Sequence, residues 1–230
     1  DDCYWVANEY DESNGFAVIT DNTNETTKLQ TIINNAPNDA TILIPDGQYL
    51  LTSKIVLPYG STNIVHIKGE SRNKTELCFN MTSTSESCAL EIKGTASNNL
   101  NYCTVENIKV LNIKENDTSN TNGIDLLYNL QTNVLKNIAV AYFYNNVNLG
   151  THNWSFTLEG IRSLYARNNG IHAHGTINNV HFVGCDVLDN ANRNFSLGSC
   201  KNCSIDNTDF SNKLCPFYKK KESIKKNIGR

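Results

Sequence analysis

Asn122-Gly123-Ile124-Asp125-Leu126, Asn145-Asn146-Val147-Asn148-Leu149, Asn169-Gly170-Ile171-His172-Ala173 and Arg193-Asn194-Phe195-Ser196-Leu197 are four copies of one short segment. Their first inward positions, Ile124, Val147, Ile171 and Phe195, follow one another at a nearly constant step. Each copy alternates apolar and other residues, the pattern of a strand with one buried face. Strands repeating at this period predict a coil that stacks on itself, a parallel β-helix, rather than a closed domain. Side chains on such a solenoid line up in columns, one per rung.

A second strand reads apolar, any residue, Asn or Gly, apolar. Its copies are Val105-Glu106-Asn107-Ile108, Leu135-Lys136-Asn137-Ile138, Leu158-Glu159-Gly160-Ile161, Ile177-Asn178-Asn179-Val180 and Ile205-Asp206-Asn207-Thr208. The spacing of Val105, Leu135, Leu158, Ile177 and Ile205 is uneven, so the turns on that side vary in length. Asn or Gly in the third place suits a bend at positive φ. Asn is abundant, 36 of 230 residues, and stacked Asn ladders in the turns account for part of the excess. A coding bias would also enrich Asn, but it would not place apolar residues in register.

Composition bounds the class. The length fits one domain or one solenoid, and the 39% apolar content fits strands with one wet face. No apolar run approaches the roughly 18 residues that span a membrane. The chain starts at Asp1 and its single Met is Met81, so a processed product is expected.

The eight cysteines, Cys3, Cys78, Cys88, Cys103, Cys185, Cys200, Cys203 and Cys215, are even in number. That favours disulfides and an oxidising compartment. The rival is zinc on Cys200-Lys201-Asn202-Cys203 with Cys185 and Cys215. Structural zinc sites usually pair two close-spaced motifs, and only one is present, so no metal or other cofactor is expected.

Sequons occur at Asn24, Asn73, Asn80, Asn116, Asn153, Asn194 and Asn202. With 36 Asn and 36 Ser plus Thr, about six arise by chance, so the count informs only alongside the cysteines. Together they point to a secreted or surface-associated glycoprotein. Charge is uneven: Lys213 to Arg230 carries +6, against −9 for the rest. Such a tail is a solvated terminus or binds an acidic partner, including a second copy of the chain. The acidic body, with no known nucleic-acid module, argues against nucleic acid as a partner.

Thr27 to Ala36 reads as a short helix, with Leu29, Ile32, Ile33 and Ala36 on one face, Thr26 as cap and Pro37 after its end. A strand (Thr41-Ile42-Leu43-Ile44), a turn (Pro45-Asp46-Gly47-Gln48) and a second strand (Tyr49-Leu50-Leu51) follow. Asn24-Glu25-Thr26-Thr27-Lys28-Leu29-Gln30, then Ile42 to Tyr49, resembles the opening of the pectate-lyase-like superfamily. Ile64-Val65-His66-Ile67-Lys68-Gly69 resembles that group's early strand-and-Gly step. The Gly-Asp-Gly stretch that often precedes the helix is absent, and Val18-Ile19-Thr20-Asp21 stands there. The resemblance implies an all-β solenoid, a single-stranded right-handed parallel β-helix with a short N-terminal capping α-helix. The expected layout is a lead segment (1–26), a capping helix (27–36), about seven rungs (41–212) and a basic tail (213–230). The group includes polysaccharide lyases, galacturonan hydrolases, epimerases and phage tailspikes, so the fold leaves function open.

Stacking the first strand set turns Asp125, Asn148, His172 and Ser196 outward in one column and Leu127, Gly150, His174 and Gly198 in the next. Rungs are about 4.8 Å apart. Glycines on either side of His174 suggest a notch. Asp125, Asn148, His172 and His174 are therefore the candidate ligand-binding residues. They suit a sugar unit, a metal on the His-x-His pair, or acid–base groups; a solvated strand face is the plain alternative. Gly170 to Gly175 loosely resembles the Gly-His-Gly step of galacturonan hydrolases. Glycoside hydrolysis needs two carboxyls, and Asp125 shows no evident partner, since Asp186 and Asp189 read as turn residues. A lyase needs a base and a cation, for which Arg162, Arg167 and Lys136 are at hand. Two readings follow: a non-catalytic structural, fibre or polysaccharide-binding protein, and a lyase or hydrolase of acidic polysaccharide. The partner is a polysaccharide or glycan in both, and the weak C-terminal cap adds self-association through that end.

Overall fold

A computed structural model describes residues 3–5, 24–57, 64–81, 86–94, 103–114, 117–128 and 134–209, with residues 3–5 as backbone only. Strand β1 (Cys3–Trp5) precedes helix α1 (Thr26–Asn35). The chain then winds in coils of three strands. The first is β2 (Ala40–Ile44), β3 (Gly47–Leu51) and β4 (Ile55–Val56), the second β5 (Val65–Gly69), β6 (Thr75–Phe79) and β7 (Cys88–Lys93). The third is β8 (Thr104–Glu106), β9 (Lys109–Asn112) and β10 (Asn122–Leu127), the fourth β11 (Val134–Lys136), β12 (Ala139–Ala141) and β13 (Val147–Leu149). The fifth is β14 (Asn153–Glu159), β15 (Arg162–Leu164) and the first half of β16 (Asn169–Val183). The second half of β16 opens the sixth coil, which β17 (Asp186–Leu188) and β18 (Arg193–Lys201) complete, and β19 (Ser204–Asp206) begins a seventh.

Every pairing between these strands is parallel, and the three strands of each coil fall on three faces. Face one stacks β1, β2, β5, β8, β11, β14, the second half of β16, and β19. Face two stacks β3, β6, β9, β12, β15 and β17. Face three stacks β4, β7, β10, β13, the first half of β16, and β18. The molecule is a right-handed parallel β-helix.

Its core is the set of inward columns. Ile55, Leu90, Ile124, Val147, Ile171 and Phe195 stand in register on face three, all buried. Burying each such side chain contributes about 1.5–3 kcal/mol. On face one the column is Ile67, Val105, Leu135, Leu158, Phe182 and Ile205. This corrects one copy of the second repeat: Phe182-Val183-Gly184-Cys185 takes the place expected for Ile177-Asn178-Asn179-Val180. Ile177 instead lies mid-strand in β16, paired with Asn153 and Cys200. With Phe182 in place, Leu135, Leu158, Phe182 and Ile205 follow at a nearly constant step, so the turns are more uniform than they read. The corner after face one is made by Asn107, Asn137, Gly160, Gly184 and Asn207, all at φ between 47 and 62. Asn tolerates this left-handed backbone better than most side chains, and Gly has no Cβ to clash.

Asn ladders do line the corner between faces two and three. Asn145 Nδ2 donates to Asn122 Oδ1 (2.9 Å), and Asn145 Oδ1 accepts from Asn168 Nδ2 (3.1 Å) and Asn169 Nδ2 (2.9 Å). The residue before each face-three apolar column alternates Gly123, Asn146, Gly170, Asn194. A Cβ at Gly123 would lie 2.5 Å from Asn146 O, and one at Gly170 would lie 2.7 Å from Asn194 O. Glycine on alternate rungs thus makes room for its neighbour. The Asn146 amide reaches Ser163 Oγ (2.9 Å) and Leu164 O (2.9 Å) inside the coil.

Helix α1 begins at Thr26, not after it. Asn24 Oδ1 accepts from Thr26 N (3.0 Å), and Thr26 Oγ1 accepts from Thr52 N (2.8 Å), so Thr26 ties the helix to the first coil rather than capping it. Gln30 accepts from Val56 N (2.8 Å) and donates to Val56 O (2.9 Å). Its amide therefore supplies the pairing that β4 lacks on its open side. β1 covers the same end of face one by pairing with β2.

The disulfide expectation is corrected for the described thiols. Cys78, Cys88, Cys103, Cys185, Cys200 and Cys203 are all free. The first four are buried at different places around the coil, and Cys103 and Cys185 bond backbone carbonyls at Val65 (3.1 Å) and Leu158 (3.5 Å). Burial pushes Cys78 up to about 11 and Cys103 up to about 12, as for thiols that act as small apolar side chains. The Cys3 side chain, Cys215, the sequon at Asn116 and the basic tail with its self-association lie outside the described residues. Two other sequons are corrected. Asn153 is wholly buried and donates to Leu126 O (2.8 Å) and Gly150 O (2.9 Å), and Asn194 is buried, so neither has room for a glycan. Asn24, Asn73, Asn80 and Asn202 are exposed.

Candidate functional site

Face three carries the candidate column. Asp125 pairs with Asn148, Asn148 with His172 and His172 with Ser196, one rung apart. Asp125 and Asn148 are not at the open surface, being 3% and 7% exposed. Asp125 Oδ1 accepts from Asn148 Nδ2 (3.0 Å) and Asn122 Nδ2 (2.9 Å). His172 is half-buried and His174 exposed, with stacked rings 6.0 Å apart. His172 Nδ1 is buried without a hydrogen-bond partner among the described residues. Burial, then the nearby His174, lowers the His172 pKa, which favours the neutral ring. The expected notch is filled on one side: a Cβ at Gly150 would fall 1.8 Å from Leu127 Cδ2. Among the described residues, no group of three or more His, Cys, Asp or Glu is placed to hold a metal ion.

The column continues in the other direction to a residue that sequence reasoning missed. Glu91 on β7 is in register with Asp125 and 4% exposed. Lys54 forms an ion pair with Glu91, and Lys93 lies 3.8 Å from its other oxygen. Burial raises the Asp125 carboxyl to about 6, against hydrogen bonds from Asn148, Asn122 and Cys88 that lower it, while Glu91 adds a further push upward. Leu90-Glu91-Ile92 does alternate like the other copies. It escaped notice because a long turn follows it, so Leu90 stands further from Ile124 along the chain than Ile124 does from Val147.

The cations proposed for a lyase are elsewhere. Lys136 is on face one, 3.5 Å from Glu159. Arg162 is on face two, and Arg167 is bound to Asp117 (2.9 Å) at the corner between faces two and three. Lys54 and Lys93 are instead the cations that meet the acidic end of the face-three column.

Where β10 and β13 end, aromatic rings leave the face. Tyr128 stacks on His152 at 5.2 Å and 8°, and His152 lies 6.4 Å from Trp154. Trp154 is 42% exposed. These three were also missed, since no local pattern marks residues that meet only through stacking of successive coils.

No family model matches the chain, and no curated protein matches it. Solved structures do. The ORF18 protein of Geobacillus virus E2 superposes with a TM-score of 0.64 at 18% identity, over 90% of this chain and 41% of that one. That likeness shows the fold, a parallel β-helix. Within that fold, a pectin methylesterase variant in complex with a hexasaccharide gives a TM-score of 0.49 at 13% identity, over 81% of this chain and 55% of that one. Pectin methylesterase PemA from Erwinia chrysanthemi gives 0.43 at 12% identity, over 91% and 67%. The chain thus spans about two fifths of the viral β-helix protein and just over half of the first esterase. Among the described residues, no helix is long and apolar enough to cross a membrane.

Proposed function

We propose that this chain is a glycan-binding β-helix of an extracellular or surface-associated protein, with face three and its aromatic corner as the binding surface. The observation that carries the reading is the run Tyr128, His152 and Trp154 where the face-three strands end, with the exposed His174 on β16 of the same face. A pyranose ring presents a face of C–H bonds, and exposed aromatic faces bind such surfaces with little loss of freedom. His172 and His174, two places apart on β16 with rings 6.0 Å apart, then supply donors and acceptors to sugar hydroxyls. The test is a screen of immobilised neutral and acidic polysaccharides, followed by titration of a binder. Trp154→Ala and His174→Ala are expected to weaken binding at least tenfold, about 1.4 kcal/mol, with an unchanged circular dichroism spectrum. Equal binding by both variants and wild type overturns the reading.

Cleavage is the second reading, favoured by the Glu91 and Asp125 pair. One carboxyl raised to about 6 beside another held by two lysines is the division of environment expected of an acid and its anionic partner. They occupy adjacent rungs, about 4.8 Å apart at the backbone. Both groups are nearly sealed from solvent, which places cleavage second. New reducing ends that vanish in Asp125→Asn would support it; ultraviolet absorbance from new unsaturation would support a lyase instead.

A further inference from the structure

A second cleft opens at the opposite edge of face three, where face two turns into it. Its volume is about 500 Å³, within the range of small-molecule sites. Tyr142 forms one wall at 49% exposure and stacks on Tyr165, itself 48% exposed, at 5.5 Å and 14°. Both tyrosines sit at positive φ, 70 and 54. Large side chains held in that backbone region and left in water do nothing for the core. Ile113, 45% exposed, adds apolar surface to the same cleft.

Charge is arranged around this platform. Arg167 Nη2 donates to Asp117 Oδ2 (2.9 Å) and Ser119 O (2.7 Å), which fixes the guanidinium. Its Nε is buried and has no acceptor among the described residues, a donor left unsatisfied at a cost of about 1–3 kcal/mol. Lys114 is anchored on Met81 O (2.8 Å). Among the described residues lining the cleft, two cations stand against one anion, Asp117. A ligand with a flat C–H face and an anionic group matches both halves of the cleft.

We propose that this cleft is a separate binding site for an acidic sugar residue, with the pyranose ring on Tyr142 and its carboxylate directed to Arg167 and Lys114. It stands independently of the face-three surface, since no residue is shared.

The test is NMR titration of the full chain with glucuronate, glucose and inorganic sulfate. Glucuronate is expected to bind saturably, with glucose and sulfate each at least tenfold weaker, because each offers only half of the match. Tyr142→Ala and Lys114→Ala are both expected to weaken glucuronate at least fivefold, while Lys136→Ala, on face one, leaves it unchanged. Arg167→Lys, which keeps the charge and loses the fork, is expected to behave like Lys114→Ala. The proposal is overturned if glucuronate does not bind, if sulfate matches it, or if Tyr142→Ala leaves its affinity unchanged. Loss through Trp154→Ala with retention in Tyr142→Ala would assign the binding to face three instead.

Discussion

Asp125 and Glu91 stand one strand apart in the same column, and the fold treats them in opposite ways. Glu91 has two lysines at its oxygens, whereas Asp125 has neutral amide donors and a neighbouring negative charge. The consequence is a dependence of stability on pH. Below about pH 3 Asp125 is protonated in both folded and unfolded chains. As pH rises toward 6 the unfolded chain releases that proton while the folded chain keeps it. The folded state binds more protons, so stability falls across this window. A rise from 3.8 to about 6 corresponds to a loss on the order of 3 kcal/mol. Urea unfolding from pH 4 to 8 is expected to show this decline in wild type and a flatter profile in Asp125→Asn, where the amide oxygen still accepts from Asn122 and Asn148. Equal slopes in the two proteins would contradict the assignment.

Asn145 is the hub of the corner ladder, accepting from two side chains and from Asn169 N (3.2 Å) while donating to Asn122. Asn145→Ala strands several of these groups. A loss of about 2–4 kcal/mol is expected from chemical denaturation. Asn192→Ala, which removes one exposed rung of the ladder, is expected to cost under about 1 kcal/mol.

Two glycines separate crowding from backbone strain. A Cβ at Gly170 meets Val187 Cγ1 at 2.5 Å and Asn194 O at 2.7 Å, so Gly170→Ala is expected to cost about 2 kcal/mol or more. At Gly184 nothing lies within 4 Å, and only φ of +59 opposes a side chain. Gly184→Ala is therefore expected to cost about 1 kcal/mol. Gly184→Asn should cost less, because Asn107, Asn137 and Asn207 already fill that corner. Thermal melts of the three variants check the order.

Thiol labelling should be sharply graded. The Cys203 thiol is lowered to about 7, first by its hydrogen bond with Cys200, and the Cys200 thiol is raised in return. Brief iodoacetamide treatment of the native protein at about pH 7.5 is expected to modify Cys203 before any other described thiol, with Cys78, Cys88, Cys103 and Cys185 reacting only after denaturation. Cys200→Ser is expected to slow that reaction. Early labelling of Cys88 or Cys103, read by peptide mass, would contradict the buried placement.

Period was the legible part of this chain. Ile124, Val147, Ile171 and Phe195 align because coils of nearly constant length leave a regular apolar mark, and the positive-φ corner shows as Asn or Gly. Register across β16 was misread, since Asn178-Asn179 imitates the corner signal, and Asn179 sits at φ 55 within the strand ahead of the true corner at Gly184. Glu91 was hidden by a long turn, and the aromatic runs by their dependence on neighbouring coils. Cysteine parity misled because thiols in an apolar coil satisfy packing as well as bonding. Burial of Asp125 and Asn148 was equally out of reach, since alternation says which side of a sheet a residue takes but not how much water is there.

The unbroken course of β16 has a mechanical consequence. Its 15 residues pass from the third face of one coil to the first face of the next, flanked by β13 and β14 on one side and by β18 and β19 on the other. Elsewhere a corner residue separates consecutive strands and offers a hinge at which a coil can be peeled away. Here pairing continues through the corner, with a register shift between Ala173 and Thr176 and Asn179 at φ 55, so the fifth and sixth coils are tied together by one strand. Under tension they should yield as one block, in a single long extension step, while the earlier coils unravel turn by turn.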